Sequence, residues 1–316
     1  MSRAHSPFAL CLLGLSLSAC ALSPAAEPPA GPPNTDIYIA DMSTIGQTLW
    51  IGQPNPVATQ PGYENQPAFT ADGRTLLYTA AGPSGKTDLW ARNLTSGEKR
   101  SLTQTPDKSE YSPRLASDGV TLSFIQEDPS GEVTTLEALR LSQSNAAPVI
   151  ALKPLGYYAY LNNGEEVLTF FRSEPATLVH VDIKSGETRE IASNIGRALY
   201  AAANGTSAYF TISTSEDNFE LHQYDAATGE TRHLFALPEG AQDYTAFPIP
   251  ETPFTTFLAA SGTDIFFRVD HPENHKWVKV ADLSDAPFTD ITRMAVNKTA
   301  TRIAFVTERR QSEADE

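Results

Sequence analysis

The sequence predicts an all-β fold, a six-bladed β-propeller closed by N-terminal strands that complete the C-terminal blade. Two series of tight turns and the apolar runs between them carry this prediction. The 316-residue chain is 41% hydrophobic and contains 15 Phe and 11 Tyr, so it can bury a large core.

The first series consists of Asp-Gly or Asn-Gly pairs between two β-like runs. Such pairs are typical of tight hairpins because both residues tolerate positive φ. They recur about every 45 residues, a period that indicates one four-stranded propeller blade per repeat. With two degenerate copies at the end, the series is Asp72-Gly73, Asp118-Gly119, Asn163-Gly164, Asn204-Gly205, Pro250-Glu251 and Asn297-Lys298.

The second series of turns follows a strand that ends near Asn or Asp. Its members are Ser96-Gly97-Glu98, Ser185-Gly186-Glu187 and Thr228-Gly229-Glu230, with degenerate copies at Ser144-Asn145 and Glu273-Asn274. The sixth copy, DIYIADMSTIGQTLWIG, starts the series at Asp36 and lacks a first half, whereas the C-terminal segment from Ile291 to Val306 lacks a second half. Pairing the two halves in one sheet would satisfy their edge hydrogen bonds and close a ring of six blades.

Aromatic residues recur at fixed places around the first turns. Phe124, Phe170, Phe210, Phe257 and Phe305 each follow a turn by a few residues. We expect these rings to pack between neighbouring sheets and not to form a binding site.

The N-terminus carries the most specific local motif. The apolar run from Phe8 to Leu17 is followed by Leu-Ser-Ala-Cys ending at Cys20, which resembles a bacterial lipobox. We therefore expect a lipoprotein signal peptide at 1–19, a lipidated Cys20 with a Pro-rich tether at 20–35, the propeller at 36–308 and a charged tail at 309–316. The alternative is an ordinary secretory signal in which Cys20 is incidental.

Charge and cysteine usage narrow the partners. A net charge of -15 and a pI near 4.8 disfavour nucleic acid, because phosphate contacts would form against the field of the whole molecule. Cys11 and Cys20 are the two cysteines of the chain. The expected mature domain therefore has no thiol for a disulfide, a metal or nucleophilic catalysis.

The sequence lacks a specific catalytic motif. It has no Gly-x-Ser-x-Gly elbow and no Gly-rich phosphate loop. His271 and His275 have a spacing that suits a metal on a helix, but Pro272 and Asn274 make this segment a turn. We expect no catalytic residue, no metal site and no cofactor.

One repeat is specific enough to name a family. The stretch PAFTADGRTLLYTAAGPSGKTDLWARNLTSGEKRSLT, from Pro67, and SPRLASDGVTLSFIQED, from Ser112, resemble the WD-like repeat of the TolB-like propellers. Ala71 stands where that family has Pro. The resemblance implies the propeller fold and a role near the cell envelope. By resemblance to lipoproteins of Gram-negative bacteria, Ala21 after the lipid Cys implies an outer-membrane anchor facing the periplasm.

The segments that lead into the innermost strands should converge on one mouth of the central channel. Acidic groups interleaved with Tyr in these segments suit a protein loop, a cation or a sugar. The alternative is a polar rim that only keeps the channel wet. The candidate binding residues are Tyr63, Glu64, Glu110, Tyr111, Tyr157, Tyr158, Arg197, Asp243, Tyr244 and Asp290.

Three functional hypotheses follow from these patterns. The first is a non-catalytic, monomeric envelope lipoprotein that binds a protein, a glycan or another envelope component through a channel mouth. The second is a lyase or hydrolase acting on an oligosaccharide, which would need paired carboxylates or a metal with a base at the mouth. The third is a purely structural lipoprotein that spaces other proteins.

Overall fold

A computed structural model describes residues 33–45, 48–116, 118–143, 145–248, 254–271 and 276–309. The expected signal peptide, Cys20, nearly all of the tether and of the charged tail lie outside these ranges. So do parts of the predicted turns at Ser144, Pro250-Glu251 and Glu273-Asn274, and His275. In the part of the chain that is described, no helix has the length and apolarity to cross a membrane.

The described residues form strands and one short 3-10 turn, Asn162–Gly164. In chain order the strands are β1 (Thr35–Ile45), β2 (Thr48–Ile51), β3 (Asn55–Ala58), β4 (Glu64–Phe69), β5 (Thr75–Ala81), β6 (Thr87–Asn93), β7 (Lys99–Ser101), β8 (Ser109–Leu115), β9 (Thr121–Glu127), β10 (Thr134–Arg140), β11 (Ala147–Pro148), β12 (Leu155–Leu161), β13 (Glu166–Phe171), β14 (Thr177–Asp182), β15 (Thr188–Ser193), β16 (Tyr200–Ala201), β17 (Ser207–Ser215), β18 (Asn218–Asp225), β19 (Thr231–Ala236), β20 (Tyr244–Pro248), β21 (Thr255–Ser261), β22 (Asp264–Val269), β23 (Val278–Asp282), β24 (Phe288–Val296) and β25 (Arg302–Arg309).

These strands form six antiparallel sheets, the blades of a propeller. Blades 1 to 5 each use four consecutive strands: β4 to β7, β8 to β11, β12 to β15, β16 to β19 and β20 to β23. Blade 6 has the order β2-β1-β25-β24, and β3 also pairs with β1. The predicted six-bladed propeller, with one blade built from both chain ends, is therefore confirmed.

Blade 6 is joined by main-chain pairing and by ion pairs between β1 and β25, of which that of Asp36 is the more buried. Strands β1 and β25 run antiparallel, with Ile37 opposite Val306. Beside this pairing, Arg309 donates through Nε to Asp36 Oδ2 at 3.1 Å and through Nη2 to Thr59 O at 3.0 Å. The contact between the buried Asp36 carboxylate and the Arg309 guanidinium links β1, the first strand, to β25, the last.

The second series of turns has a recurring side-chain brace. In blade 1 the Asn93 Oδ1 accepts hydrogen bonds from the amides of Thr95 and Ser96, at 2.8 and 2.9 Å. Asp182 and Asp225 accept the equivalent bonds in blades 3 and 4. Gly97 adopts φ +75°, a left-handed conformation that costs Gly little.

The core lies between the blades. Six clusters of buried residues among the described ranges each join two neighbouring sheets. Phe124, Phe210, Phe257 and Phe305 are almost fully buried in these clusters, as their spacing predicts, whereas Phe170 is only partly buried against one of them. Packing between blades therefore fixes how the innermost strands surround the channel.

Candidate functional site

Six residues, one from each blade, converge within or just before the innermost strands, and we call them the channel ring. Blades 1 to 3 contribute aromatic residues and blades 4 to 6 contribute charged ones. In blade order the channel ring is Tyr63, Tyr111, Tyr157, Arg197, Asp243 and Arg293. The sequence analysis proposed five of these six.

The aromatic half of the ring has two hydroxyl groups without a partner. The rings of Tyr63 and Tyr111 meet edge to face, with centroids 6.4 Å apart. Tyr157 packs in the same way on Phe170, with centroids 5.6 Å apart. Among the described residues, none hydrogen-bonds the hydroxyl of Tyr63 or Tyr111, and both side chains are half-buried. These hydroxyls remain free to donate to a ligand.

The charged half of the ring is linked across the channel. Arg197, in blade 4, donates through Nη2 to Thr292 O in blade 6 at 2.6 Å. Arg293 donates through Nη2 to Tyr157 Oη at 3.3 Å, and its guanidinium lies 5.1 Å from the Tyr157 ring centroid. The Arg293 Nε lies 3.8 Å from Asp243 Oδ2, which is too long for a hydrogen bond.

Several polar atoms of this half are enclosed without a hydrogen bond. Within the described ranges these atoms are Arg197 Nε, Arg293 Nε and Asp243 Oδ2. The Asp243 side chain is 5% exposed and that of Arg293 is 14% exposed. Because buried polar groups are nearly always satisfied, such a concentration at one place in a fold points to a site for another molecule, or for water.

The pKa values of the ring respond to burial and to the two guanidinium groups. Burial raises the pKa of Asp243, and Arg293 and Arg197 oppose this effect. Burial also opposes ionisation of Tyr157, but Arg293 and Arg197 together outweigh it and lower its pKa. At Tyr63 burial prevails and raises the pKa. The positive field is therefore strongest where Tyr157 meets the charged half.

Two cavities adjoin the ring and share Gln66 and Tyr157. The channel cavity has a volume of about 190 Å³, and its charged lining residues in the described ranges are Arg114, Arg197 and Arg293. The mouth cavity has a volume of about 290 Å³ and is lined by Tyr63, Tyr111, Tyr157 and Phe170, with Glu127 and Arg172 as its charged members. Four arginines and one glutamate thus line the cavities of a chain whose net charge is -15.

The positions of Glu64 and Glu110 differ from those that the sequence predicts, at the mouth of the channel. Both are buried, and neither is among the described residues that line the two cavities. Glu64 accepts the Gln60 amide at 3.0 Å, and burial raises its pKa to about 7. Glu110 accepts from Gln126 at 3.2 Å and from the Thr103 hydroxyl at 3.2 Å. Both carboxylates brace the loops that precede the innermost strands β4 and β8.

The other three proposed residues have separate positions. Tyr158 lines the channel cavity with its ring, while its buried hydroxyl donates to Ser112 O at 3.1 Å. Tyr244 is fully buried between blades 4 and 5 and donates to Ala198 O at 3.3 Å. Asp290 is exposed beside the loop at Gly262 and is not among the described residues that line either cavity.

Sequence reasoning missed Arg293 because the innermost strands contain bulges. The ring residues stand roughly four to nine positions before the first turn of their blades. In blade 6 the pairing register shifts between Phe288 and Ile291 and again between Ile291 and Arg293. Blades 1 and 2 have one such shift each. Alignment on the turns therefore selects Asp290, whereas the bulges turn Arg293 into the channel.

The described residues do not group as metal ligands: within those ranges no three His, Cys, Asp or Glu side chains come together. His180, in strand β14, contacts Glu166 at 3.1 Å and the Tyr224 hydroxyl at 2.9 Å, between blades 3 and 4. These three side chains form a polar clasp inside a packed joint.

The fold is shared with several solved structures, whereas no family model and no curated protein matches the sequence. A protein assigned as TolB from Agrobacterium tumefaciens aligns with a TM-score of 0.65 and 14% identity, over 89% of this chain and all of that one. TolB from Acinetobacter baumannii aligns with a TM-score of 0.54 and 15% identity, over 87% of this chain and 64% of that one.

An enzyme is also similar in fold. An oligogalacturonate lyase in complex with manganese aligns with a TM-score of 0.52 and 15% identity, over 86% of this chain and 78% of the lyase. At such identities the alignments establish the fold and leave the activity open. In its fold, this chain is a TolB-like six-bladed β-propeller.

Proposed function

We propose that this chain is a non-catalytic binding protein of the cell envelope, which holds a segment of a protein or another envelope component at its channel mouth. The observation that carries the proposal is the channel ring, where side chains from all six blades surround two cavities. A binding surface is supported by the free hydroxyls of Tyr63 and Tyr111 and by the enclosed guanidinium groups.

The binding proposal is tested by cross-linking in intact cells. A photoreactive amino acid at Tyr111 lines the mouth cavity, and the same group at the exposed Asp290 is the matched control. We expect an adduct from position 111 that Arg197→Gln abolishes, and none from position 290. Equal adducts from both positions, or persistence of the adduct in Arg197→Gln, would contradict a site at the channel ring.

The anchoring proposal rests on the lipobox-like sequence ending at Cys20. We propose attachment to the outer membrane, with the propeller facing the periplasm. Cys20→Ala should move the protein from the membrane fraction to the soluble fraction of the periplasm. Retention of the variant in the membrane fraction would refute lipid anchoring, and the binding proposal would be unaffected.

A second candidate function is a lyase or hydrolase acting on an oligosaccharide, which the fold of the oligogalacturonate lyase favours. This activity would need paired carboxylates or a metal with a base; Glu127 lines the mouth cavity, and Asp243 lies beside Arg293 of the channel cavity. The purified chain incubated with oligogalacturonate and manganese should then form unsaturated products with ultraviolet absorbance. Product that disappears in Asp243→Asn would favour the enzyme over the binding protein.

A further inference from the structure

The channel ring has more hydrogen-bond donors than acceptors. Each guanidinium carries five N–H donors. Among the described residues, Arg197 uses one of them on Thr292 O and Arg293 uses one on Tyr157 Oη. Asp243 directs Oδ1 to the Tyr244 amide at 2.7 Å, while its Oδ2 accepts no hydrogen bond. The two phenol hydroxyls can donate as well, so the free donors of the ring outnumber its free acceptors.

The net charge around the ring is positive, which favours the same kind of ligand as the excess of donors. Arg114, Arg172, Arg197 and Arg293 line the two cavities, against Glu127 in the lining and Asp243 behind Arg293. Glu64 and Glu110 are buried and hydrogen-bonded elsewhere. The rest of the molecule is strongly acidic. A local excess of positive charge inside an acidic protein attracts a small anion and repels a polyanion.

We infer that the channel ring binds a carboxylate of a peptide segment, held between Arg197 and Arg293 and flanked by Tyr63, Tyr111 and Tyr157; this rests on the proposed binding function. A carboxylate offers about four acceptor sites and no donor, which complements the ring. The Nε atoms are enclosed, so the carboxylate meets the terminal nitrogens of the guanidinium groups. The tyrosine rings supply flat walls for the adjoining peptide.

The dimensions and charge favour a peptide over an acidic glycan. The mouth cavity, about 290 Å³, has four aromatic residues in its lining and suits a single chain end or side chain. A polyuronate carries a carboxylate on every sugar, and those beyond the ring would meet a protein of net charge -15. A peptide can present one carboxylate alone.

The test uses the complete propeller labelled with 3-fluorotyrosine, with the resonances of Tyr63, Tyr111 and Tyr157 assigned by Tyr→Phe variants. Four probes are titrated at constant ionic strength. N-acetylglycine presents a peptide C-terminal carboxylate, N-acetylglutamate α-amide presents a side-chain carboxylate, N-acetylglycinamide has no charge, and trigalacturonate is the acidic glycan.

We expect saturable shifts of the three resonances with at least one of the two single carboxylates and none with N-acetylglycinamide. The tighter of the two acids identifies the source of the carboxylate. Arg197→Gln should weaken binding about tenfold, the loss expected for one charge-assisted contact. The exposed Arg100→Gln, which makes the same change of charge on the outer strand β7, should leave binding unchanged.

Three results would overturn the inference: equal shifts with N-acetylglycinamide, tenfold tighter binding of trigalacturonate than of either acid, or no shift with any probe. Should Arg197→Gln fail to fold, Tyr63→Phe and Tyr111→Phe remove donors without removing charge and should each weaken binding by a smaller factor. A cross-link from Tyr111 without carboxylate binding would reject this inference and leave the proposed function standing. Carboxylate binding without a cross-linked partner would do the reverse.

Discussion

The two halves of the channel ring differ in where they place their acidic residues. In blades 1 to 3, tyrosines line the cavities, and the carboxylates of Glu64 and Glu110 are buried away from them. In blades 4 to 6, Arg197 and Arg293 line the channel cavity, and the buried Asp243 lies beside Arg293. Acidic residues at similar places in the repeats therefore have different roles. Their neighbours determine whether the carboxylate accepts hydrogen bonds from a loop or lies beside a guanidinium group.

The largest expected effect tests the charged half. Asp243→Asn removes the carboxylate that interacts with Arg293 and Arg197 and takes this counter-charge from two enclosed guanidinium groups. Breaking a buried pair in this way should lower the free energy of unfolding by about 3 kcal/mol. Urea denaturation of the purified variant measures it. A change within about 0.5 kcal/mol would show that water already screens the ring.

The next effect tests the buried carboxylate in the aromatic half. The pKa of Glu64 is about 7 in the folded chain against an ordinary value of 4.5, so between these values the folded state holds more protons than the unfolded state. Stability should therefore fall as pH rises from 4.5 through 7. Because Gln keeps an acceptor for the Gln60 amide without the charge, Glu64→Gln should be about 2 kcal/mol more stable than the wild type at pH 8.

Glu110→Gln is the matched control for that measurement. Glu110 accepts hydrogen bonds from Thr103, Thr105 and Gln126. The NH₂ group of a Gln side chain at this position would face groups that are themselves donors. We expect no gain in stability at pH 8. The difference between Glu64→Gln and the wild type should also disappear near pH 4.5, and a difference that is constant with pH would contradict the raised pKa.

A smaller effect compares equivalent joints in the two halves. The hydroxyl of Tyr158 contacts both Ser112 O and Ser123 Oγ, at 3.1 and 2.9 Å, whereas that of Tyr244 contacts one described residue, Ala198, at its carbonyl oxygen. Tyr158→Phe should cost about 1.5 kcal/mol, and Tyr244→Phe about half as much. Parallel urea denaturation curves measure both, and the reverse order would show that these bonds do not set the strength of the joints.

The smallest effect is expected at Asp290. This exposed side chain lies outside the described lining of both cavities. Asp290→Asn should change the unfolding free energy by less than about 0.5 kcal/mol and leave binding of the carboxylate probes unchanged. Loss of binding in this variant would move the site outward from the channel ring.

The repeat could be predicted because its signals are local. Gly73 and Gly97 help to determine where the chain turns, since each has a positive φ that few other residue types adopt. The half-blades at the two ends likewise predict the pairing of β1 with β25, because an unpaired edge on each would be costly. These features need only a few neighbouring residues and a count of repeats.

The site could be predicted only in part. The aromatic tyrosines of the ring were identified because each directly precedes or begins an innermost strand, but Arg293 and the burial of Glu64 and Glu110 were not. Register shifts and contacts with other blades decide these, and neither leaves a pattern at a fixed spacing.

The amino-acid sequence by itself therefore determined the number of blades, the turns and the closure of the propeller, since each depends on local backbone preference and on satisfying strand edges. Only the tertiary structure decided which side chains face the channel and that its charge is positive in an acidic protein. The physical reason is that bulges and packing between blades set the direction of a side chain, and electrostatics depends on the distances that result.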